Sequence, residues 1–575
     1  MGRPTEESHF RLAGTQRVIG DDDAIVYAPQ VQGGGSVIRA LVTSVALAMT
    51  ACAPAIPPCG PTTCEGGCCD PRGLCVAGRT KRICGLGGNA CVACEGADLC
   101  VEGACVAPAI DGGLDAGVDA GLEPDAGRRR TVLVRRTDEV WTSDGGISAI
   151  DLDLNAMTQK QLLYEDENGE YVIVEPAPQS GPVLRFDDVP EGPYVLVRGT
   201  DYVVSDVDSL ELGARTIGRR NPLIGNGTLS VTLTGTTFQQ SDVVQAHSFG
   251  AGTLIEQFRN SATDGGVLTS TATLSNQPLA FVLRNDSDEL TVFVRRTINT
   301  GGSSWSAAVL AGTVAAPDLG QNQSASVTVP LTQLTQQRWP LELRSSGFEQ
   351  FVRDVHPAAT TTVTQAILYS VPSTPPHTTG GDFEGRSAPL ASLTNAAGRP
   401  DVRQEITVGT PSGSAPLFAD GRLFASVPLT LSGRTLSKGF EALATTTTDG
   451  GVLDATLSPP RFLRINQEPA DVNRTGVSQN PVLEWSAPAL GAPTTYVVVI
   501  TRLMPQGTTL TEGFSLRLRT PFTRLKVPGV FLETGAPYVA QVVAVANPGF
   551  DNKRFPFHFS TLSSRASAIT SIFIP

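Results

Sequence analysis

Thr228-Leu-Ser-Val-Thr-Leu-Thr234 alternates apolar and hydroxyl residues without a break. A period of two marks a strand with one buried face, because successive side chains leave a strand on opposite sides. The same texture spreads outward. Leu279-Ala-Phe-Val-Leu-Arg284 and Leu290-Thr-Val-Phe-Val-Arg295 flank Asn285-Asp-Ser-Asp-Glu289, which predicts a hairpin. Asp-Gly-Gly recurs at Asp144, Asp264 and Asp449, each time before a branched residue at Ile147, Val267 and Val452. Glycine enters positive φ without steric cost, so these read as turns. Thr263-Asp-Gly-Gly-Val-Leu268 and Thr448-Asp-Gly-Gly-Val-Leu453 are alike enough to suggest an internal repeat. No stretch beyond about ten residues carries a helical period. The predicted fold class is all-β, with several β-sandwich domains. The chain from Thr131 onward, about 445 residues, is too long for one core and fits three or four. Boundaries fall at 131–215, 216–345, 346–457 and 458–575. Residues 216–457 read as two further sandwiches, or as part of a larger sheet assembly, such as a propeller, with the segment before them.

The last segment holds Pro481-Val-Leu-Glu-Trp485, Tyr496-Val-Val-Val-Ile500 and Leu532-Glu-Thr-Gly-Ala-Pro-Tyr538, the last running into Val-Ala-Gln-Val-Val-Ala-Val-Ala546. It resembles a fibronectin type III domain over roughly 458–575. The resemblance implies that Trp485 is the core tryptophan of the second strand and Tyr496 the tyrosine of the third. Leu532 and Tyr538 match the tyrosine corner before the sixth strand, where the phenol caps a backbone group. All four are core residues on this reading and imply fold, not chemistry. Pro548-Gly-Phe-Asp-Asn-Lys-Arg554 departs from the family as a longer loop. Upstream, Leu184-Arg-Phe-Asp-Asp-Val-Pro-Glu-Gly-Pro-Tyr194-Val-Leu-Val resembles the closing strands of prealbumin-like repeat domains. That resemblance covers 131–215.

The N-terminal part has a different character. Ala40-Leu-Val-Thr-Ser-Val-Ala-Leu-Ala-Met49 is followed by Thr50-Ala51-Cys52. The apolar run is too short to span a bilayer, and small residues precede the cysteine. It resembles a bacterial lipoprotein signal peptide over 37–51, with Cys52 as the lipidated residue. Arg39 supplies the positive charge, and Met49 stands where the lipobox prefers Leu. Residues 1–36 carry Glu6, Glu7 and Asp21-Asp22-Asp23. Acidic residues do not belong before a signal peptide, so translation is expected to start at Val37.

All 11 cysteines lie between Cys52 and Cys105. Setting Cys52 aside leaves an even number: Cys59, Cys64, Cys68, Cys69, Cys75, Cys84, Cys91, Cys94, Cys100 and Cys105. Segment 52–106 has too few apolar residues for a core, and so short a segment needs covalent staples. Disulfides, each worth ~2–4 kcal/mol, would supply them, with a connectivity that spacing leaves open. Zinc is the competing account, since Cys91-Val-Ala-Cys94 has ligand-like spacing, with Cys84 and Cys100 beside it. Residues 107–130 follow, rich in Asp, Ala and Gly, with Asp-Ala-Gly at Asp115, Asp119 and Asp125. This predicts an acidic flexible linker, with calcium binding by its aspartates as the alternative. Arg128-Arg129-Arg130 reads as its solvated end.

Catalytic patterns are sparse. His9, His247, His356, His377 and His558 stand singly, without HExxH spacing. No G-x-S-x-G elbow or phosphate-binding glycine loop follows a strand. Asp151-Leu-Asp-Leu-Asn155 opens like a calcium loop, but Ala156 and Leu162 replace the required Gly and Glu, so it reads as a strand. The net charge of −13 argues against nucleic acid. No cofactor or metal is expected. Domain order resembles that of large lipoproteins of the myxobacterial type. That implies an envelope protein held by lipid on Cys52, with Ala53 favouring the outer membrane. Its body would bind an envelope protein or glycan, or act in adhesion or as a spacer. The alternatives are a hydrolase or carbohydrate-active enzyme with its site in 216–457, and a redox or metal protein built on the cysteines.

Overall fold

The computed structural model of the chain describes residues 129–575 apart from 142–146, 155–159, 179–180, 199–200, 214, 218–227, 236–237, 240–241, 249–252, 265–266, 274–282, 284–287, 301–302, 321–322, 371–387, 411–416, 447–450 and 559–562. Upstream it describes Gly60, Cys64, Cys68–Cys69, Cys75–Val76, Arg79–Thr80, Ile83–Cys84, Asn89–Val92, Leu99–Val101 and Ala104–Val106. The start segment 1–36, the signal segment, Cys52, Cys59, Cys94 and the linker up to residue 128 lie outside the described residues. The cysteine-rich segment and the body from residue 129 belong to separate compact units.

In the cysteine-rich unit, strands of two or three residues pair as short hairpins, Cys68–Cys69 with Cys75–Val76, Arg79–Thr80 with Ile83–Cys84, and Leu99–Val101 with Ala104–Val106. Strands this short bury little. A disulfide joins Cys68 to Cys91 across 23 residues, and Cys64 and Cys69 are disulfide-bonded as well.

The body is all-β and starts with a two-sheet sandwich. Its strands are β1 Arg129–Arg135, β2 Leu162–Glu165, β3 Tyr171–Val174, β4 Leu184–Pro190, β5 Tyr194–Arg198, β6 Asp201–Ser205 and β7 Ser209–Glu211. One sheet runs β4-β1-β7 and the other β3-β2-β5-β6. Alternation decides the faces: Leu184 and Phe186 are buried while Arg185 between them is exposed. A bulge at Asp187-Asp188, with Asp188 at φ 58°, resets the register so that Val189 is buried again. Val132, Val134, Leu162, Phe186, Leu196 and Leu210 form the core.

Arg130 is not the solvated boundary residue its neighbours suggest. Its guanidinium donates to the carbonyls of Asp206 and Gly192 and pairs with Asp208 at 3.0 Å. It also lies 5.6 Å from the Tyr194 ring centroid. Several acceptors converging on one planar donor hold it in place.

The middle of the body holds β8 Thr228–Thr234, β9 Val243–Ser248, β10 Thr253–Asp264, β11 Val267–Thr273, β12 Glu289–Thr300, β13 Ser303–Ala315 and β14 Ser324–Pro330. Strand β8 keeps the alternation of its sequence, with Leu229, Val231 and Leu233 fully buried. It pairs antiparallel with β11 and parallel with β14. Of the hairpin expected between 279–284 and 290–295, only Leu283 of the first strand is among the described residues, and the second strand is paired elsewhere. Strand β12 has one edge on β9 and the other on β13, and Leu283 bridges Leu319 instead. A strand has only two edges, and both are taken.

The second half of this region adds β15 Thr335–Leu343, helices α1 Ser345–Glu349 and α2 Val352–Val355, β16 Thr360–Ser370, β17 Ala388–Ala396, β18 Val402–Thr410, β19 Leu417–Leu431 and β20 Arg434–Thr446. The order β13-β17-β16-β19-β20 makes one sheet, and β15 pairs with β18 opposite it. Strand β13 serves two cores. Trp305 and Ala307 join Trp339, Phe348 and Leu423, whereas Leu310 joins Leu229 and Val292. The Asp-Gly-Gly segments part company here. Asp264 faces Val267 across a hairpin, but Val452–Leu453 lies parallel to the end of β15. The two segments differ in their pairing, so their similarity does not extend to a repeated unit.

The last module holds β21 Arg461–Ile465, β22 Val482–Ser486, β23 Thr495–Gln506, β24 Thr509–Thr520, β25 Arg524–Lys526, β26 Tyr538–Ala546 and β27 Ser564–Ile569. Sheet β21-β22-β25 packs on sheet β24-β23-β26-β27. Both edges of the larger sheet are occupied from within the chain. Asp201–Val203 of β6 pairs parallel with Arg517–Arg519 of β24, and Leu443 of β20 pairs with Arg565 of β27. No helix among the described residues is long and apolar enough to cross a membrane.

Candidate functional site

The histidines provide the first test for chemistry. His377 lies outside the described residues, and His247 is buried on β9. His356, at the end of α2, meets Ser571 with Nε2 3.0 Å from Oγ. The pair superficially suits nucleophile activation, but the tautomer is wrong for it. Nδ1 accepts the backbone N–H of Ala358 at 3.1 Å, so the ring proton sits on Nε2 and is donated to the serine. An activating base must accept the serine proton at that nitrogen. The pair is a buried brace between α2 and the C-terminal segment.

Burial holds the His356 imidazole below its ordinary 6.5, against an opposing pull from Asp471. The folded state therefore prefers the neutral ring, and the unfolded chain takes up the proton first as pH falls. Stability is full above the ordinary value and declines as pH drops below it. Thermal midpoints should fall between pH 7.5 and 5.5. His356→Gln, which retains a donor toward Ser571, should flatten that decline; an unchanged slope would show that the pH dependence lies elsewhere.

Region 216–457 holds a concentrated polar group on β19. Side chains at 418, 420 and 422 share one face, opposite the one that sends Ala419 and Leu423 into the core. Arg422 reaches Asp420 at 2.9 Å and Glu441 at 3.4 Å and donates to the Tyr369 hydroxyl. Tyr369 stacks on Phe418 with centroids 5.0 Å apart. The side chains of Arg422 and Asp420 are only 7% and 6% exposed. Carboxylates arranged for acid–base work flank a cleft and are pushed apart in pKa. Here both face one guanidinium, so the arrangement is an ion-pair network inside a sheet. Nearby, a hollow with room for about one water is lined by Phe348, Phe351, Leu423, Phe440 and Pro459, with Ser567 as its one hydroxyl. No ionisable side chain lines it. Among the described residues no cluster of His, Cys, Asp or Glu could hold a metal ion.

The arrangement with the clearest consequence is the clasp between the first and last sandwiches. The loop after β26, longer than a tight sandwich turn, reaches across to the first sandwich. Phe557 is 5% exposed and belongs to the core of β1–β7, under Arg519 at 4.6 Å. The backbone N–H of Glu211 donates to the Arg554 carbonyl at 2.9 Å, and Ser205 Oγ to that of Lys553 at 3.0 Å. Lys553 pairs with Asp206 at 3.1 Å. The loop is braced from inside: the amides of Asn547 and Asn552 donate to the His558 carbonyl at 2.6 and 3.0 Å. A second contact lies at β3, where the Tyr171 hydroxyl donates to the Lys526 carbonyl at 2.6 Å and Lys526 pairs with Glu165. Tyr202 packs on Phe531 at 4.3 Å.

Trp485, Tyr496, Leu532 and Tyr538 all lie in the core of the last module. Trp485 meets Tyr496 edge-on at 5.3 Å, and the Tyr538 hydroxyl accepts the Glu533 backbone N–H at 2.9 Å. Cys91 is bonded to Cys68, which takes it out of a thiol pair with Cys94. The register sets Cys69 opposite Cys75 and Cys100 opposite Cys105, and Cys84 ends a short strand. Sequence reasoning missed Phe557, Arg130 and Arg422. The only signal for Phe557 was the unusual length of its loop.

No protein-family model matches the chain, and no curated protein matches it. Among solved structures, a streptococcal ancillary pilin shares 9% identity over 57% of this chain and 97% of its own, with a TM-score of 0.11. Trypsin-activated alpha-2-macroglobulin from Escherichia coli shares 12% identity over 73% of this chain and 29% of its own, with a TM-score of 0.12. A tetra-tandem repeat from the extending region of a large adhesion protein shares 11% identity over 76% of this chain and 98% of its own, at 0.11. Likenesses at these TM-scores carry no argument about this chain.

Proposed function

We propose that the chain is a lipid-anchored, non-catalytic module of a bacterial envelope, held by Cys52 and working as a braced binding or spacer body. The clasp carries this reading. The last sandwich uses both edges of its larger sheet and an extended loop to hold the rest of the body. Such bracing suits a part that must keep its shape at a distance from a surface rather than close around a substrate. The order β21-β22-β25 against β24-β23-β26-β27 supports reading 458–575 as fibronectin type III-like. The apolar run ending at Cys52 supports the anchor, and the outer membrane is its proposed place. Two or more acyl chains hold stably where one does not. Labelled palmitate should enter the wild-type protein and be lost in Cys52→Ala; label persisting in that variant would overturn the anchor.

A further inference from the structure

We propose that β3 is an acceptor edge that captures an extended segment of a partner protein with basic residues flanking an apolar centre. Among the described residues, strand β3, Tyr171-Val-Ile-Val174, pairs with β2 alone. The Asp166 N–H donates to the Glu170 carbonyl at the turn. Ladder alternation then directs the backbone groups of Val172 and Val174 to β2 and those of Tyr171 and Ile173 outward. Among the described residues nothing pairs with those outward groups. Ile173 is 51% exposed.

An uncharged, β-branched edge of this kind is a template for strand addition, and proteins ordinarily block it with charge, proline or a bulge. The other edges nearby are blocked in this way. Strand β4 carries Arg185, the Asp187-Asp188 bulge and Pro190, and β25 carries Arg524 and Lys526.

Charge selects the occupant. Glu167 and Glu170 are exposed at one end of β3 and Glu175 at the other. Residues 161–180 hold no Lys or Arg, so a second copy of β3 offers these glutamates no opposite charge. A strand with Lys or Arg at both ends meets opposite charge instead.

This inference rests on the binding-module reading and names its site. The probe is a synthetic peptide of alternating valine and threonine with lysines at both ends; the control carries glutamates there. With the full-length protein in detergent, the Tyr171 and Ile173 amides should exchange rapidly when free and slow about tenfold or more on saturation with the lysine peptide. That peptide should bind about tenfold tighter than the control at low salt, with the gap narrowing at high salt. Ile173→Pro removes an outward donor and no ladder bond, so it should keep the wild-type thermal midpoint and lose capture. Glu170→Lys with Glu175→Lys should reverse the peptide preference. The proposal is overturned by absence of capture in the wild type, by equal capture in Ile173→Pro, or by amide protection that grows with protein concentration without peptide. Failed capture alongside Cys52-dependent labelling removes the edge and leaves the anchored module.

Discussion

Phe557→Ala should destabilise the body by about 3–5 kcal/mol, the range for truncating a buried phenylalanine. The ring comes from the last module but fills the core of the first sandwich, and the Arg519 guanidinium lies over it. Truncation removes core volume and the anchor of the clasp together, leaving the loop held by Lys553, Arg554 and their hydrogen bonds. Denaturant titration should show the midpoint falling, and limited proteolysis should show the loop after β26 opening first. Phe514→Ala serves as control: that ring is half exposed, and its removal should change stability by no more than about 0.5 kcal/mol. Equal effects for the two variants would mean that the clasp does not hold the modules together.

Arg422→Ala should be comparably severe, about 3–5 kcal/mol, because it takes the guanidinium away from the buried Asp420 carboxylate. Asp420 is enclosed, whereas the Glu441 side chain is about one-third exposed and can turn to water. Asp420→Leu combined with Arg422→Met removes both buried charges and should cost less than Arg422→Ala alone. A double variant as damaged as the single one would show that packing, not charge, sets the cost.

Much of the local structure was legible. Thr228–Thr234 alternates in sequence and in burial alike, because period-two exposure follows from strand geometry alone. Trp485, Tyr496, Leu532 and Tyr538 lie in one core, as apolar residues at strand spacing must if one face of each strand is to leave water. The candidate sites were less legible. Ser571 lies 215 residues from His356, and its direction of hydrogen bonding depends on the Ala358 N–H, which no motif records. Arg130 sits in a run of three arginines with nothing local to single it out.

By itself the sequence determined the all-β texture, the apolar face of strands such as Thr228–Thr234 and which segment needs cysteines to hold it. Only the tertiary structure decided which strand edges meet. Backbone N–H and C=O groups are the same at every residue, so an edge carries no address in its side chains. Residues 290–295 could not announce β9 and β13 as partners, nor β6 its place beside β24. Those pairings were settled by cores assembled from distant parts of the chain, and Phe557 in the first sandwich is the plainest case.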